Sequence, residues 1–189
     1  AVAAWVDYLN QVRFTELINA LNRQDDNLQD ALDSLRSTMD TIKDNVIEVG
    51  RGGERGMHGF IAEVAEVGIG NARKAIRGED RIYDWINDNG PHDIQIEDML
   101  YQMKFVQGGG CFSLNAVAAH LEKYPDYLEQ GNKYIIPKDF YEKVRELLAL
   151  DESQAARLTN SGDSLTRREW LRVKDFFDQH DITIDDIEP

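Results

Sequence analysis

The chain of 189 residues has one cysteine, four prolines and a deficit of basic charge. The lone thiol, Cys111, excludes an internal disulfide framework and any multi-cysteine zinc site, and a reducing, cytoplasmic compartment is expected. No apolar run approaches the roughly 20 residues that a membrane-spanning helix needs, so no membrane is expected as a partner. The start, AVAAWVDYLN, lacks the basic flank of a signal peptide and carries Asp7 early. It also lacks an initiator Met, which points to a segment of a longer protein. With 21 Lys and Arg against 35 Asp and Glu, the net charge is -14 and the pI about 4.6. Phosphate contacts rest on Lys and Arg, so a strongly acidic chain is not the usual nucleic-acid binder. The cations are unevenly spread, however. Residues 51–77 are net positive, and Thr166–Lys174 (TRREWLRVK) is a second basic island. A polyanion would have to meet the protein there. The mean hydropathy of -0.51, with 42% hydrophobic residues, describes a soluble globular chain and not a disordered one.

What is present first is a long helical pattern. No Gly or Pro precedes Gly50. Leu28, Leu32, Leu35, Met39, Ile42, Val46 and Val49 step alternately by four and three, an a/d heptad seam. Leu21, Ile18 and Phe14 extend it backward, and Asp25 interrupts it. The interruption either weakens pairing locally or marks a hairpin near Arg23–Asn27. A coiled coil that makes a homo-oligomer and an amphipathic helix packed on the next domain are both open. We divide the chain into this helical segment (1–50), a core (51–150) and a C-terminal helical extension (151–189).

Gly50–Gly53 reads as a linker, and Met57–Arg77 as a helix capped by Gly78. Ile82–Ile86 is a short strand or a turn of helix. Asn87–Pro91 is a turn signal. His92–Ile96 and Leu100–Val106 read as strands joined at Glu97-Asp98, and Gln107–Gly110 as a flexible exit. A helix capped by Ser113 or Asn115 runs to Lys123, followed by a strand at Tyr134–Ile136 and a helix from Pro137 to Leu150. Beyond Asp151 come a short helix, a polar turn at Asn160–Ser164, a helix bearing Trp170 and Phe176–Phe177, and an acidic tail.

Four polar residues carry chemistry. Glu63 lies in a helix among apolar neighbours (HGFIAEVA), and Asp93 opens a strand after Gly90-Pro91. Gln102 and Lys104 alternate in YQMKF, which places them on one strand face. In a hairpin turning at Glu97-Asp98, Asp93 falls opposite them. Two carboxylates and an amide oxygen beside a lysine form a hard, oxygen-rich pocket of the kind that holds Mg²⁺ or Mn²⁺. A lysine there orients or deprotonates a water, or stabilises charge on a phosphate. His58, Asn71 and Lys74 are candidate substrate-binding residues from the same helix, and Gln95 shares the strand face of Asp93. Taken singly, each residue also has an ordinary structural reading: Glu63 paired with Arg55 or Lys104, Asp93 as a strand cap, Gln102 and Lys104 as a solvated face. Cys111 reads as a small packing residue. His92 and His120 lack ligand-like spacing, and the tyrosines read as core or rim aromatics.

Over residues 55–150 this order resembles the PD-(D/E)XK nuclease superfamily, whose core is an αβββαβ arrangement. Asp93 matches its Asp, Gln102-Met103-Lys104 matches its (D/E)XK element in a Q-x-K form, and Glu63 matches a helix-borne Glu. The resemblance implies an α/β (α+β), restriction-endonuclease-like core and a metal-dependent nuclease acting on DNA or RNA. It also implies that Glu63, Asp93, Gln102 and Lys104 are catalytic, with the first three on Mg²⁺ or Mn²⁺, in a module of a larger bacterial or phage-related defence or toxin protein. Gln102 puts a neutral amide where the family has an acid. An acidic, non-enzymatic module is the competing reading: an inhibitor, an immunity protein, a DNA mimic or a degenerate nuclease fold used for assembly. It expects Glu63 and Asp93 far apart. An oligomerising structural protein of a virus-like particle is a third reading and expects no metal site.

Overall fold

The computed structural model describes residues 2–88, 90–106, 111–159 and 165–189. The expected exit at Gln107–Gly110 and polar turn at Asn160–Ser164 lie outside the described residues. Helix α1 spans Val2–Ile42 and ends in a π-helical turn, Lys43–Ile47. It runs unbroken through Asp25, so there is no hairpin at Arg23–Asn27. A reversal follows in which Gly50, Gly52 and Gly53 all adopt positive φ. At Gly52 a Cβ would sit 2.8 Å from the Gly56 backbone and 2.9 Å from the Phe60 ring, so only glycine makes this turn.

Helix α2, Gly53–Ile76, returns antiparallel along α1. Small residues make their interface. Ala31 packs with Ala72 and Ala75, the Ser34 hydroxyl donates to the Gly68 carbonyl at 3.1 Å, and a Cβ on Gly68 would lie 1.7 Å from Thr38 Oγ1. The leucine seam is therefore not the packing face. Leu28, Leu32, Leu35 and Met39 stay between 39% and 69% exposed, while Val46 alone of the seam is fully buried. Short side chains allow close helix approach; leucines would hold the axes apart.

The remaining elements form one mixed sheet with helices on both faces. Strands β1 (Tyr83–Trp85), β2 (Ile94–Ile96) and β3 (Met99–Met103) make an antiparallel meander. The β2–β3 turn is Glu97-Asp98, with Glu97 at positive φ and Ile96 opposite Met99. Helix α3 (Leu114–Lys123) crosses to β4 (Lys133–Ile135), parallel to β3. Helix α4 (Lys138–Leu148), a one-turn α5 (Glu152–Ala155) and α6 (Arg167–His180) follow, and β5 (Ile187–Glu188) joins the sheet parallel to β4. The strand order is β1-β2-β3-β4-β5. Ile82–Ile86, open as strand or helix, resolves as a strand. The acidic tail, given no strand in the sequence reading, supplies a fifth strand.

Period-two alternation divides the cores. Ile94, Tyr101, Met103 and Ile135 pack with Ala62 and Val67 of α2 on one face. Tyr134, Ile136 and Ile187 join Leu114, Val117, Val144, Leu147, Trp170 and Val173 on the other. The residues after 150 thus share the core and the sheet of those before it. Ser113 holds the N-cap position of α3 at positive φ without a side-chain cap bond. Among the described residues no helix is long and apolar enough to cross a membrane.

The hairpin interface makes opposite predictions for two glycines of α2. Gly68→Ala should cost about 1–3 kcal/mol by overpacking against Thr38. Gly59→Ala, with open space around its Cβ, should gain roughly 1 kcal/mol of helix propensity. Urea unfolding of both variants checks this, and equal effects would contradict the close α1–α2 contact.

Candidate active site

The site grows from the β2–β3 hairpin. Asp93 sits one residue before β2 and continues its ladder: its N–H donates to the Tyr101 carbonyl at 2.8 Å. The Asp93 carboxylate accepts from the Met103 backbone N–H at 2.8 Å and from the Gln102 amide. Lys104 follows β3, with its N–H bonded to the Ile135 carbonyl at 2.8 Å. Backbone pairing thus fixes all three residues. Gln102 is buried, and its amide nitrogen is spent on Asp93, which leaves the amide oxygen as its acceptor.

Glu63 comes from α2 and is 8% exposed. The Trp85 indole N–H donates to its Oε2 at 3.1 Å. Burial, and then the charge of Asp93, push its carboxyl up to about 7, against the Trp85 bond and the charges of Arg51 and Lys104. Burial likewise raises Asp93, against the Met103 N–H and Lys104. Lys104 is pushed down by burial, while Asp93 and Glu63 pull it back up. A buried carboxyl at Glu63 therefore feels the charge of a half-buried one at Asp93, beside one lysine. That is a costly arrangement for a merely structural acid pair, and a common one at sites that act on charge.

A cleft of about 510 Å³ opens over Asp93, Gln102 and Lys104. Its far walls bring Arg51, Lys123, Tyr124 and His120. Arg51 stacks 4.3 Å from the Phe60 ring centroid and 5.2 Å from that of Trp85, and donates to Asn87. His120 Nδ1 lies 2.8 Å from the Tyr134 hydroxyl, and burial, then Lys104, hold its pKa down to about 4. It is neutral near pH 7. Arg51, Lys104 and Lys123 face Asp88 and Asp93, so the cleft leans positive in a chain of net charge -14. Glu63 stands behind this lining.

The other candidates are placed elsewhere. Asn71 is a structural clamp: its amide donates to the Tyr83 carbonyl at 2.8 Å and accepts from the Ile82 and Tyr83 N–H groups at 3.1 Å. Lys74 pairs with Glu79 at 2.7 Å. His58 Nε2 lies 3.0 Å from the Phe105 carbonyl, and Gln95 donates to the Glu97 carbonyl at 2.7 Å. All four side chains are spent on backbone or a neighbouring charge, and none lines the cleft. The cations that do line it are Arg51 and Lys123. Arg51 lay in the one positive segment; Lys123 gave no sequence signal. Cys111 packs against the large core, where burial raises its thiol.

Among the described residues no three His, Cys, Asp or Glu side chains gather as a metal set. The donors at hand are Glu63, Asp93 and the Gln102 amide oxygen. All are hard oxygens, and Mg²⁺ commonly takes only one or two carboxylates and completes its shell with water and phosphate. The donor chemistry fits such an ion. No protein-family model, curated protein or solved structure matches the chain significantly.

The raised carboxyl gives a pH prediction. The folded pKa of Glu63 lies above its unfolded one, so the folded state keeps an extra proton between about pH 4.5 and 7. Stability falls as pH rises through that window. Glu63→Gln, which keeps an acceptor for Trp85, should stabilise the metal-free protein at pH 8 by on the order of 3 kcal/mol. The gain should close toward pH 4.5, as read by chemical denaturation at each pH. A pH-independent difference would contradict the buried charge.

Proposed function

We propose that the chain carries a metal-dependent nuclease site of the PD-(D/E)XK kind, hydrolysing phosphodiester bonds of DNA or RNA. The observation that carries this reading is the meeting of Asp93, Gln102 and Lys104 in one cationic cleft, with Glu63 electrostatically coupled behind them. The helix, three strands, helix and strand of α2–β4 run in the αβββαβ order of that superfamily. The competing acidic-module reading expects Glu63 and Asp93 far apart, and the influence of the Asp93 charge on Glu63 speaks against it.

In this reading Arg51 and Lys123 draw the phosphate backbone into the cleft. Glu63, Asp93 and the Gln102 oxygen would hold Mg²⁺ or Mn²⁺, which would supply Lewis-acid activation of a water and of a phosphate oxygen. The Met103 N–H and the Gln102 amide fix the orientation of the Asp93 carboxylate. Lys104 Nζ faces the phosphate and stabilises the negative charge that builds on its oxygens during attack. Water adds to phosphorus, the bond to the leaving oxygen breaks, and that oxygen takes up a proton. Trp85 and Phe60 hold the Arg51 guanidinium from behind, which keeps it from collapsing onto the acids.

The test incubates the chain with plasmid DNA, single-stranded DNA and RNA, in Mg²⁺, in Mn²⁺ and in chelator. Cleavage of at least one substrate is expected with metal and not with chelator. Lys104→Ala and Asp93→Asn should each lower the rate at least ~100-fold. Arg51→Ala with Lys123→Ala should weaken substrate binding and flatten its salt dependence, since two phosphate contacts are lost. Metal-dependent cleavage that survives Lys104→Ala refutes the assigned roles.

A further inference from the structure

From residue 5 to residue 26 every side chain of α1 is exposed except half-buried Val12. Gly78, just past the end of α2, abuts Asn27. Residues 2–26 therefore project beyond the hairpin, by roughly 37 Å at 1.5 Å per residue. Trp5, Leu9, Phe14, Leu17, Ile18 and Leu21 lie on this arm, each at least 37% exposed. Behind it, Leu28, Leu32, Leu35 and Met39 run along the hairpin itself, equally bare. At about 100° per residue this stripe lies roughly 100° round α1 from the Ala31–Ser34–Thr38 stripe that meets α2. Ile69 and Ile76, also exposed, lie roughly 80° round α2 from its Gly68–Ala72–Ala75 stripe. The two helices are antiparallel, so both rotations lead to the same side. The hairpin thus has one apolar face, continuous with the apolar arm.

We propose that this face is covered by a second copy of the chain, antiparallel, with the arm of each copy laid on the hairpin of the other. The occupant is argued from three features. The seam keeps the heptad step from Phe14 to Val49, apolar at every position but Asp25, the pattern of a helix that meets a helix. The positions flanking the seam between residues 14 and 35 are Thr15, Leu17, Asn22, Gln24, Gln29 and Ala31, all uncharged, so an identical seam meets no like charge there. The exposed seam from Phe14 to Met39 is roughly 38 Å long and 10 Å wide, about 380 Å² in projection. Flanked by exposed Leu17, Ile69 and Ile76, and with accessible area larger than its projection, the face approaches the roughly 800 Å² per partner that a stable dimer buries.

Asp25 sets the direction. In a parallel, in-register pair it would face its own copy in the seam, two like charges in one layer. An antiparallel pair that brings Leu21 against Leu32 of the second copy also brings Ile18 against Leu35, Phe14 against Met39, and Asp25 against Leu28. It matches the most exposed apolar residues and places no carboxylate on another.

The full chain carrying Cys111→Ser tests the arrangement. Light scattering should give twice the 21.6 kDa chain mass. Leu21→Cys with Leu32→Cys should form disulfide-linked dimers under mild oxidation, and Leu21→Cys alone should not. Leu32→Asp with Leu35→Asp should halve the mass. Circular dichroism checks that the hairpin persists in that variant, because its packing stripe is untouched. A mass of one chain at tens of micromolar overturns the proposal. So does ready cross-linking of Leu21→Cys alone, which would mean a parallel pair.

Discussion

The site rests on a single electrostatic constraint: the Glu63 carboxyl is held out of water within reach of the Asp93 charge, which disfavours its ionisation. Glu63 arrives on a helix and Asp93 on the lip of a strand, from opposite layers of the fold. Burial raises both, and the charge of Asp93 adds to the cost of ionising Glu63. Lys104 and Arg51 offset part of the repulsion but are placed to face the cleft as well. An arrangement of this kind is stable only because α2 and the β2–β3 hairpin are fixed by other interactions.

Those other interactions are local and ordinary. The Asn71 side chain pins β1 to α2 through three bonds, and Trp85 on β1 then reaches Glu63. Small residues bring α1 against α2, which fixes the helix that carries Glu63. The ladder that ends at Lys104 sets the register of Gln102 against Tyr134. Helix α3 closes the opposite wall and contributes Lys123 and His120 to it. Stability and site geometry therefore share the same residues: Asn71 serves the site without touching it.

Much of this was legible in the chain itself. Alternation in YQMKF set Gln102 and Lys104 on one face, and Glu97-Asp98 fixed the turn that brings Asp93 alongside. These are local patterns, and period two admits little choice once the turn is placed. What escaped depends on contacts between distant segments. Asn71 and Lys74 share the sheet-facing side of α2 with Glu63 but stand two and three turns further along, where they meet β1 and Glu79, and no spacing rule shows how far along the helix the cleft reaches. The β5 strand is two residues long and takes its form from β4, not from its own acidic sequence. The heptad was real as a pattern, yet Ala31, Ser34 and Thr38, a less conspicuous stripe, won the contact with α2 because glycine and alanine oppose them.

The most direct test of the account follows the Glu63 carboxyl itself. Carbon-13 NMR of side-chain carboxyls across pH, with Glu63→Gln for assignment, should show this group titrating near 7 in the metal-free protein. Millimolar Mg²⁺ or Mn²⁺ in place of the proton should move that transition well below its metal-free position. A Glu63 that titrates at the ordinary glutamate value and ignores the ion would contradict the shared, buried charge on which the site is built.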